Sequence, residues 1–182
     1  MAQEWVLASN NPGKCVEINA YLSTLGVHCR TMRELDLPSP DETGQTFIEN
    51  ALLKARYASQ QTGLPALADD SGLVVDALHG APGVQSARFA GDNATDADNN
   101  AKLLTAMRDV PVGARGAHDY CVMVWCRHAD DPAPLITVGS VHGSIGMAPQ
   151  GDGGFGYDPL FCLPGGDTTA AELPLADKNQ QS

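Results

Sequence analysis

An α/β fold, a mixed twisted β-sheet flanked by helices, is predicted for this 182-residue chain by three observations. The N-terminal segment reads strand, turn, helix, strand, a βαβ unit of the kind that builds mainly parallel or mixed sheets. Further along, apolar runs of strand length alternate with helical segments that bring their own capping residues. The length suits one sizeable core, since domains commonly hold about 100–150 residues, and residues 1–182 are expected to form a single domain.

Each element follows from local chemistry. Trp5-Val6-Leu7-Ala8 is a short apolar run that ends at Ser9-Asn10-Asn11-Pro12-Gly13-Lys14. Cys15, Ile18, Leu22 and Leu25 then recur at helical spacing, and Gly26 stops that helix before a second strand at Val27 to Arg30. Residues 31 to 45 are polar and proline-bearing, a surface loop. Thr46-Phe47-Ile48-Glu49 has the Thr-x-x-Glu form of a capping box and opens a helix to about Gln61. After Gly63, Pro65 to Ala68 and Leu73 to Val75 read as strands interrupted or bent at Asp69-Asp70-Ser71-Gly72, and Ala81-Pro82-Gly83 makes another turn. Thr95 followed by Asp98 opens a helix to about Met107. The almost wholly apolar Tyr120 to Cys126 reads as a central strand buried on both faces, with Leu135 to Val138 as its partner. Asp130-Asp131-Pro132 between them reads as a solvated connection.

Composition excludes several classes. A net charge of −11 opposes duplex nucleic acid and anionic lipid, both of which need a basic face. No apolar run approaches the roughly 20 residues of a membrane helix, and the N-terminus lacks the basic and long apolar stretches of a signal peptide, so a cytoplasmic location is expected. Cys15, Cys29, Cys121, Cys126 and Cys162 are odd in number and contain no Cys-x-x-Cys pair, which points to reduced core thiols. The five histidines lie far apart, without metal-ligand spacing. A phosphate-rich ligand would therefore rely on local cations, helix-start amides and a metal ion.

Three segments supply such help. Ser9 to Lys14 runs from strand into helix and aims unpaired N–H groups, a helix dipole and an ammonium at one point. It is not a nucleotide P-loop, having Ala8 and Cys15 where that motif needs Gly and Ser/Thr; a plain helix-starting turn is the bland alternative. Asp69-Asp70 sit at a strand, where side chains alternate between faces, so one carboxylate of the pair with Glu42 would suffice for Mg²⁺. A turn held by Asx hydrogen bonds is the other reading of Asp-Asp-Ser-Gly. Gly151, Gly153, Gly154 and Gly156 crowd around Phe155, a density that close approach of backbone to a ligand would justify. Phe155 could stack on a base, or Phe155 and Tyr157 could plug a core. Asn50 and Lys54 share a helix face at i,i+4, Arg88 follows a proline-glycine turn, and Glu49 is explained by its capping box. Asp70-Ser71-Gly72 lacks the preceding glycine of a nucleophile elbow, which leaves metal-activated water as the economical route to phosphoanhydride cleavage.

Taken together, Ser9 to Lys14, Glu42-Thr43-Gly44 with Thr46 to Ala51, Ala68 to Leu73, Ala81 to Val84 with Ser86-Ala87-Arg88, and Gly153 to Pro159 resemble the inosine/xanthosine triphosphate pyrophosphatase family over nearly the whole chain. The resemblance implies an elongated α/β fold, a homodimer, Mg²⁺ dependence, and hydrolysis of ITP, dITP and XTP to monophosphate and pyrophosphate. It implies that Ser9, Asn10, Asn11, Pro12, Gly13 and Lys14, with Lys54 and Arg88, contact the triphosphate, and that Glu42 and Asp70 hold the metal. Asp70 would also orient or deprotonate the attacking water. Ser71, Phe155, Gly156, Tyr157 and Asp158 would touch the nucleoside, with Phe155 stacked on the purine, and Lys178 would reach the substrate. The family pattern continues from the position of Ser182 into a Ser-His-Arg motif, whose His-Arg pair is expected to read the 6-keto group, and a final amphipathic helix, so a truncated product or incomplete record is expected. Two other readings share the cradle: a pyrophosphatase for modified pyrimidines or other triphosphates, and a catalytically dead nucleotide-binding module.

Overall fold

The structure, a computed structural model, describes residues 3–9 and 12–173. Asn10, Asn11 and Lys178 lie outside the described residues. Among the described residues, six strands form one sheet: β1 (Gln3–Ala8), β2 (Val27–Thr31), β3 (Ala66–Val75), β4 (Gly116–Cys126), β5 (Leu135–Ile145) and β6 (Phe161–Cys162), in the spatial order β2-β1-β3-β4-β5-β6. The helices are α1 (Pro12–Thr24), α2 (Phe47–Thr62) and α3 (Asp96–Ala106). The sheet is mixed, with β1 parallel to both β2 and β3, and β5 antiparallel to β6. This is the α/β class expected. The chain packs as two compact units, one made of the residues up to Asp70 with Val122–Val138, the other of Ser71–Cys121 with the residues from Gly139 onward.

In the first unit the βαβ register sets Trp5 opposite Cys29 and Leu7 opposite Leu67. Leu7, Cys15, Val27, Cys29 and Leu67 form its core, with Trp5 and Trp125 packed ring to ring at 5.2 Å. Fully burying a side chain such as Leu7 contributes about 1.5–3 kcal/mol. Helix α2 starts on its expected capping box: the Thr46 hydroxyl accepts the Glu49 N–H and the Glu49 carboxylate accepts the Thr46 N–H. It ends at Gly63, whose φ of 70° is the left-handed conformation that only glycine adopts cheaply. Its buried face is Ala51, Ala55 and Ala58, small residues that let the helix lie close to β1.

Three local expectations are corrected. Strand β3 is continuous through Asp69-Asp70-Ser71-Gly72, without the break that turn propensity implied. The reason is long-range partnering: Lys14 neutralises Asp69, Lys54 neutralises Asp70, and Ser86 Oγ takes the Leu73 N–H, so no local turn is needed to satisfy these groups. Strand β4 buries Val122, Val124 and Cys126 completely, but the alternating Cys121, Met123 and Trp125 are only half-buried. Asp131 is not solvated. Its carboxylate is 0% exposed and accepts from the Arg127 guanidinium, the Arg127 N–H and the Ala133 N–H, which closes the β4–β5 hairpin. The Arg127 guanidinium, followed by the backbone donors, holds that carboxyl well below the usual carboxylate range.

The second unit gathers Leu73, Val75, Leu103, Met107, Ile145, Tyr157, Leu160 and Phe161 into its core. Helix α3 begins on the expected Thr95/Asp98 capping box. Buried Arg115 donates to four carbonyls, those of Met107, Val110, Ile145 and Gly146, fixing the C-terminal turn of α3 to the end of β5. All five cysteines are free thiols, and burial pushes Cys29 up to about 11, as suits an inert core thiol.

Candidate functional site

In the first unit, one ammonium gathers the charged residues. Lys54, from the middle of α2, donates to Glu42 at 2.7 Å and to Asp70 at 2.9 Å. Asn50, one helical turn earlier on the same face, is 0% exposed; its Nδ2 donates to Asp70 at 3.2 Å and its Oδ1 accepts the Gly44 N–H at 2.8 Å. One helix face thus ties the loop bearing Glu42 to the strand bearing Asp70. Gly44 is required by this closeness, since a Cβ there would lie 2.6 Å from Asn50 Oδ1 and 3.0 Å from its backbone nitrogen.

The electrostatics are finely opposed. Burial pushes the Asp70 carboxyl above the usual carboxylate range, Lys54 and Asn50 pull it back, and Glu42 adds to the rise. Burial by itself would lower Lys54, but the bonds to Glu42 and Asp70 outweigh it and hold the ammonium above the ordinary lysine value. Asp69, adjacent in β3, is paired instead with Lys14 at the start of α1. The strand alternation therefore gives each aspartate its own lysine. Ser9 immediately follows β1, and its carbonyl receives the Cys15 thiol at 3.5 Å. Gly13 and Lys14 lie in the first turn of α1, where helix N–H groups have no intrahelical acceptor.

In the second unit, Ser71 and Gly72 continue β3 alongside the 3₁₀ turn Gly83–Arg88. Gly72 admits no side chain, because a Cβ would meet Ser86 Oγ at 2.4 Å and the Gly83 carbonyl at 2.6 Å. Arg88 closes that turn, its Nε donating to Gln85 at 2.9 Å. The glycine-rich segment forms a hydrogen-bonded turn. The Asp158 carboxylate is buried and accepts the Phe155 N–H at 2.8 Å, and the buried Tyr157 hydroxyl donates to the Ser86 carbonyl at 2.9 Å. Both peptide groups of Gly156 are bonded to α3: its N–H to Asp96 at 2.7 Å and its carbonyl to Asn100 at 2.7 Å. Phe155 is 57% exposed at the top of this turn.

Glu42 and Asp70 thus meet at the partly buried Lys54 ammonium, Lys14 pairs with Asp69 at the start of α1, and Phe155 stands exposed on its glycine turn. The Ham1 family model matches residues 5–182. The chain belongs to the Ham1 family. Among relatives of this Ham1 chain, the dITP/XTP pyrophosphatase of Yersinia pseudotuberculosis is 53% identical over 180 residues, covering 99% of this chain and 91% of that protein. The dITP/XTP pyrophosphatase of Escherichia coli O157:H7 is 52% identical over 177 residues, covering 97% and 90%. A solved structure of a HAM1 protein from Coxiella burnetii is similar with a TM-score of 0.94 at 48% identity, covering 99% of this chain and 91% of that one. Asn50, Asp96 and Asn100 do the linking in this Ham1 chain, and of these only Asn50 carried a sequence signal, its i,i+4 spacing to Lys54.

Proposed function

We propose that this Ham1 protein hydrolyses dITP, ITP and XTP to the nucleoside monophosphate and pyrophosphate, removing deaminated purines from the nucleotide pool, and does so in the cytoplasm, where that pool is used. The observation that carries the reading is the Lys54 ammonium shared by Glu42 and Asp70, in a chain about half identical to dITP/XTP pyrophosphatases. Glu42 and Asp70 offer hard carboxylate oxygens, and Mg²⁺ is commonly held by one or two carboxylates completed by phosphate oxygens and water, so the residues fit that ion. Bound there, Mg²⁺ would supply polarisation of the phosphoryl oxygens and acidification of water.

The residues then take separable roles. Asp70 orients the attacking water and accepts its proton; the burial that raises its carboxyl brings it closer to the operating pH of a general base. Asn50 holds Asp70 in place. Lys54, Lys14 and Arg88, with Ser9 to Gly13, bind the triphosphate, and Lys178 reaches the substrate. Phe155 stacks on the purine, with Ser71, Gly156, Tyr157 and Asp158 shaping the nucleoside end. We also assign the chain to a homodimer, supported by the exposed apolar residues Leu135, Ile136 and Val138 along β5. Phosphorus NMR of a dITP reaction tests the chemistry: monophosphate and pyrophosphate should appear together, and nucleoside diphosphate with orthophosphate would refute the assignment.

A further inference from the structure

The turn that presents Phe155 has no strand or helix of its own; it is held by Asp158 within the turn and from outside by α3. Asp96 occupies the first position of that helix, exposed to solvent, and its carboxylate accepts the Gly156 N–H at 2.7 Å. Asn100, one turn later and buried, donates from Nδ2 to the Gly156 carbonyl at 2.7 Å and to the Asp96 carbonyl at 2.8 Å. Both acceptors are carbonyls, so the amide is fixed in this orientation; flipping it would set Oδ1 against two oxygens. Among the described residues, the same orientation leaves the buried Asn100 Oδ1 with no hydrogen-bond partner. An unpaired buried acceptor costs stability, so the amide is better explained by what its donor side holds than by packing.

Resting on the reading that Phe155 stacks on the purine, we infer that Asp96 and Asn100 are positioning residues for base recognition, clamping both peptide groups of Gly156 so that Phe155 stands at a fixed height and angle for a planar purine. The pair acts through Gly156. Gly156 suits the role: its φ is 60°, and among the described residues nothing lies within 4 Å of the position a Cβ would take. A clamp on the base end changes how well the purine is held while leaving the phosphoryl chemistry untouched.

Steady-state kinetics on dITP with Asp96→Ala, Asp96→Asn and Phe155→Ala test this. Asp96→Ala should raise KM roughly tenfold, the loss expected from a charge-assisted bond, with kcat changed less than about twofold. Asp96→Asn keeps an acceptor oxygen and should restore most of the KM. Hydrogen exchange of the Gly156 amide gives a reading independent of activity, faster in Asp96→Ala and near normal in Asp96→Asn. If Phe155→Ala raises KM while Asp96→Ala does not, the inference falls and base stacking stands. If Phe155→Ala leaves KM unchanged, both fall. An Asp96→Ala enzyme that loses kcat and KM together, or whose Asn variant fails to rescue, would show a general structural role and overturn the clamp.

Discussion

Gly154 and Gly156 flank Phe155 with the same backbone handedness, φ 75° and 60°, yet their surroundings differ, and substituting each with alanine separates conformation from crowding. At Gly156 nothing among the described residues lies within 4 Å of an added Cβ. Gly156→Ala should therefore cost only the left-handed conformation, about 1–2 kcal/mol. At Gly154 the added Cβ would fall 1.9 Å from Asp158 Oδ2, 2.8 Å from its Cγ and 3.0 Å from its Cβ. Rotating the carboxylate oxygen aside does not relieve the other two contacts, and Asp158 is buried. The Asp158–Phe155 bond at 2.8 Å must then break, adding about 1.5–3 kcal/mol for a bond to a charged group. The sum for Gly154→Ala is roughly 2.5–5 kcal/mol against the native turn. If the turn must be native to bind the base, apparent affinity falls with the fraction of molecules that keep it. A cost of ~2.5 kcal/mol is a factor of about 60, and one of ~1 kcal/mol a factor of about 5. Measured KM for dITP should rise in both variants, by up to these factors, and several-fold more in Gly154→Ala than in Gly156→Ala, in proteins whose melting confirms a folded core. Equal effects in the two variants, or a Gly154→Ala enzyme with native KM, would refute the reasoning that the turn is held by Asp158 and presents the base platform.

Asp70→Asn keeps the volume but removes the carboxylate's charge and its proton-accepting oxygen, so pyrophosphate release should drop by roughly 10³ or more while the melting temperature stays within a few degrees; turnover with normal metal dependence would contradict the assignment. Asp131 tests the electrostatics away from the site. Its folded carboxyl is held below its unfolded value, so its stabilising effect is present above the ordinary carboxylate pKa and lost as pH falls through that range towards the folded value. Asp131→Ala should lower the melting temperature at neutral pH, and the gap from the parent protein should close on acidification; a gap independent of pH would mean that packing, and not the charge, holds the hairpin.

How much was legible in the sequence depended on how local the physics is. The capping boxes Thr46/Glu49 and Thr95/Asp98 complete themselves within four residues and can be read directly. The Gly26 helix stop, the parallel β1–β2 pair and the α2 face joining Asn50 to Lys54 also follow from short spacings. The continuity of β3 did not, because Asp69 and Asp70 find lysines 55 and 16 positions away, and propensity sees only the turn-forming character of Asp-Asp-Ser-Gly. The burial of Asp131 is hidden for a related reason: an acidic loop residue looks solvated until the hairpin folds Arg127 and the Ala133 amide around it. Asp96 and Asn100 carried no signal because their partner, Gly156, lies 60 and 56 residues on and contributes only backbone.

The most direct measurement is pyrophosphate release by the 182-residue protein with Mg²⁺, comparing dITP and XTP with dATP and dGTP under identical conditions. Release from dITP and XTP well above that from dATP and dGTP is the expected result. Release that does not distinguish the four, or none from dITP and XTP while the protein is folded, would contradict the assignment of this chain as a dITP/XTP pyrophosphatase.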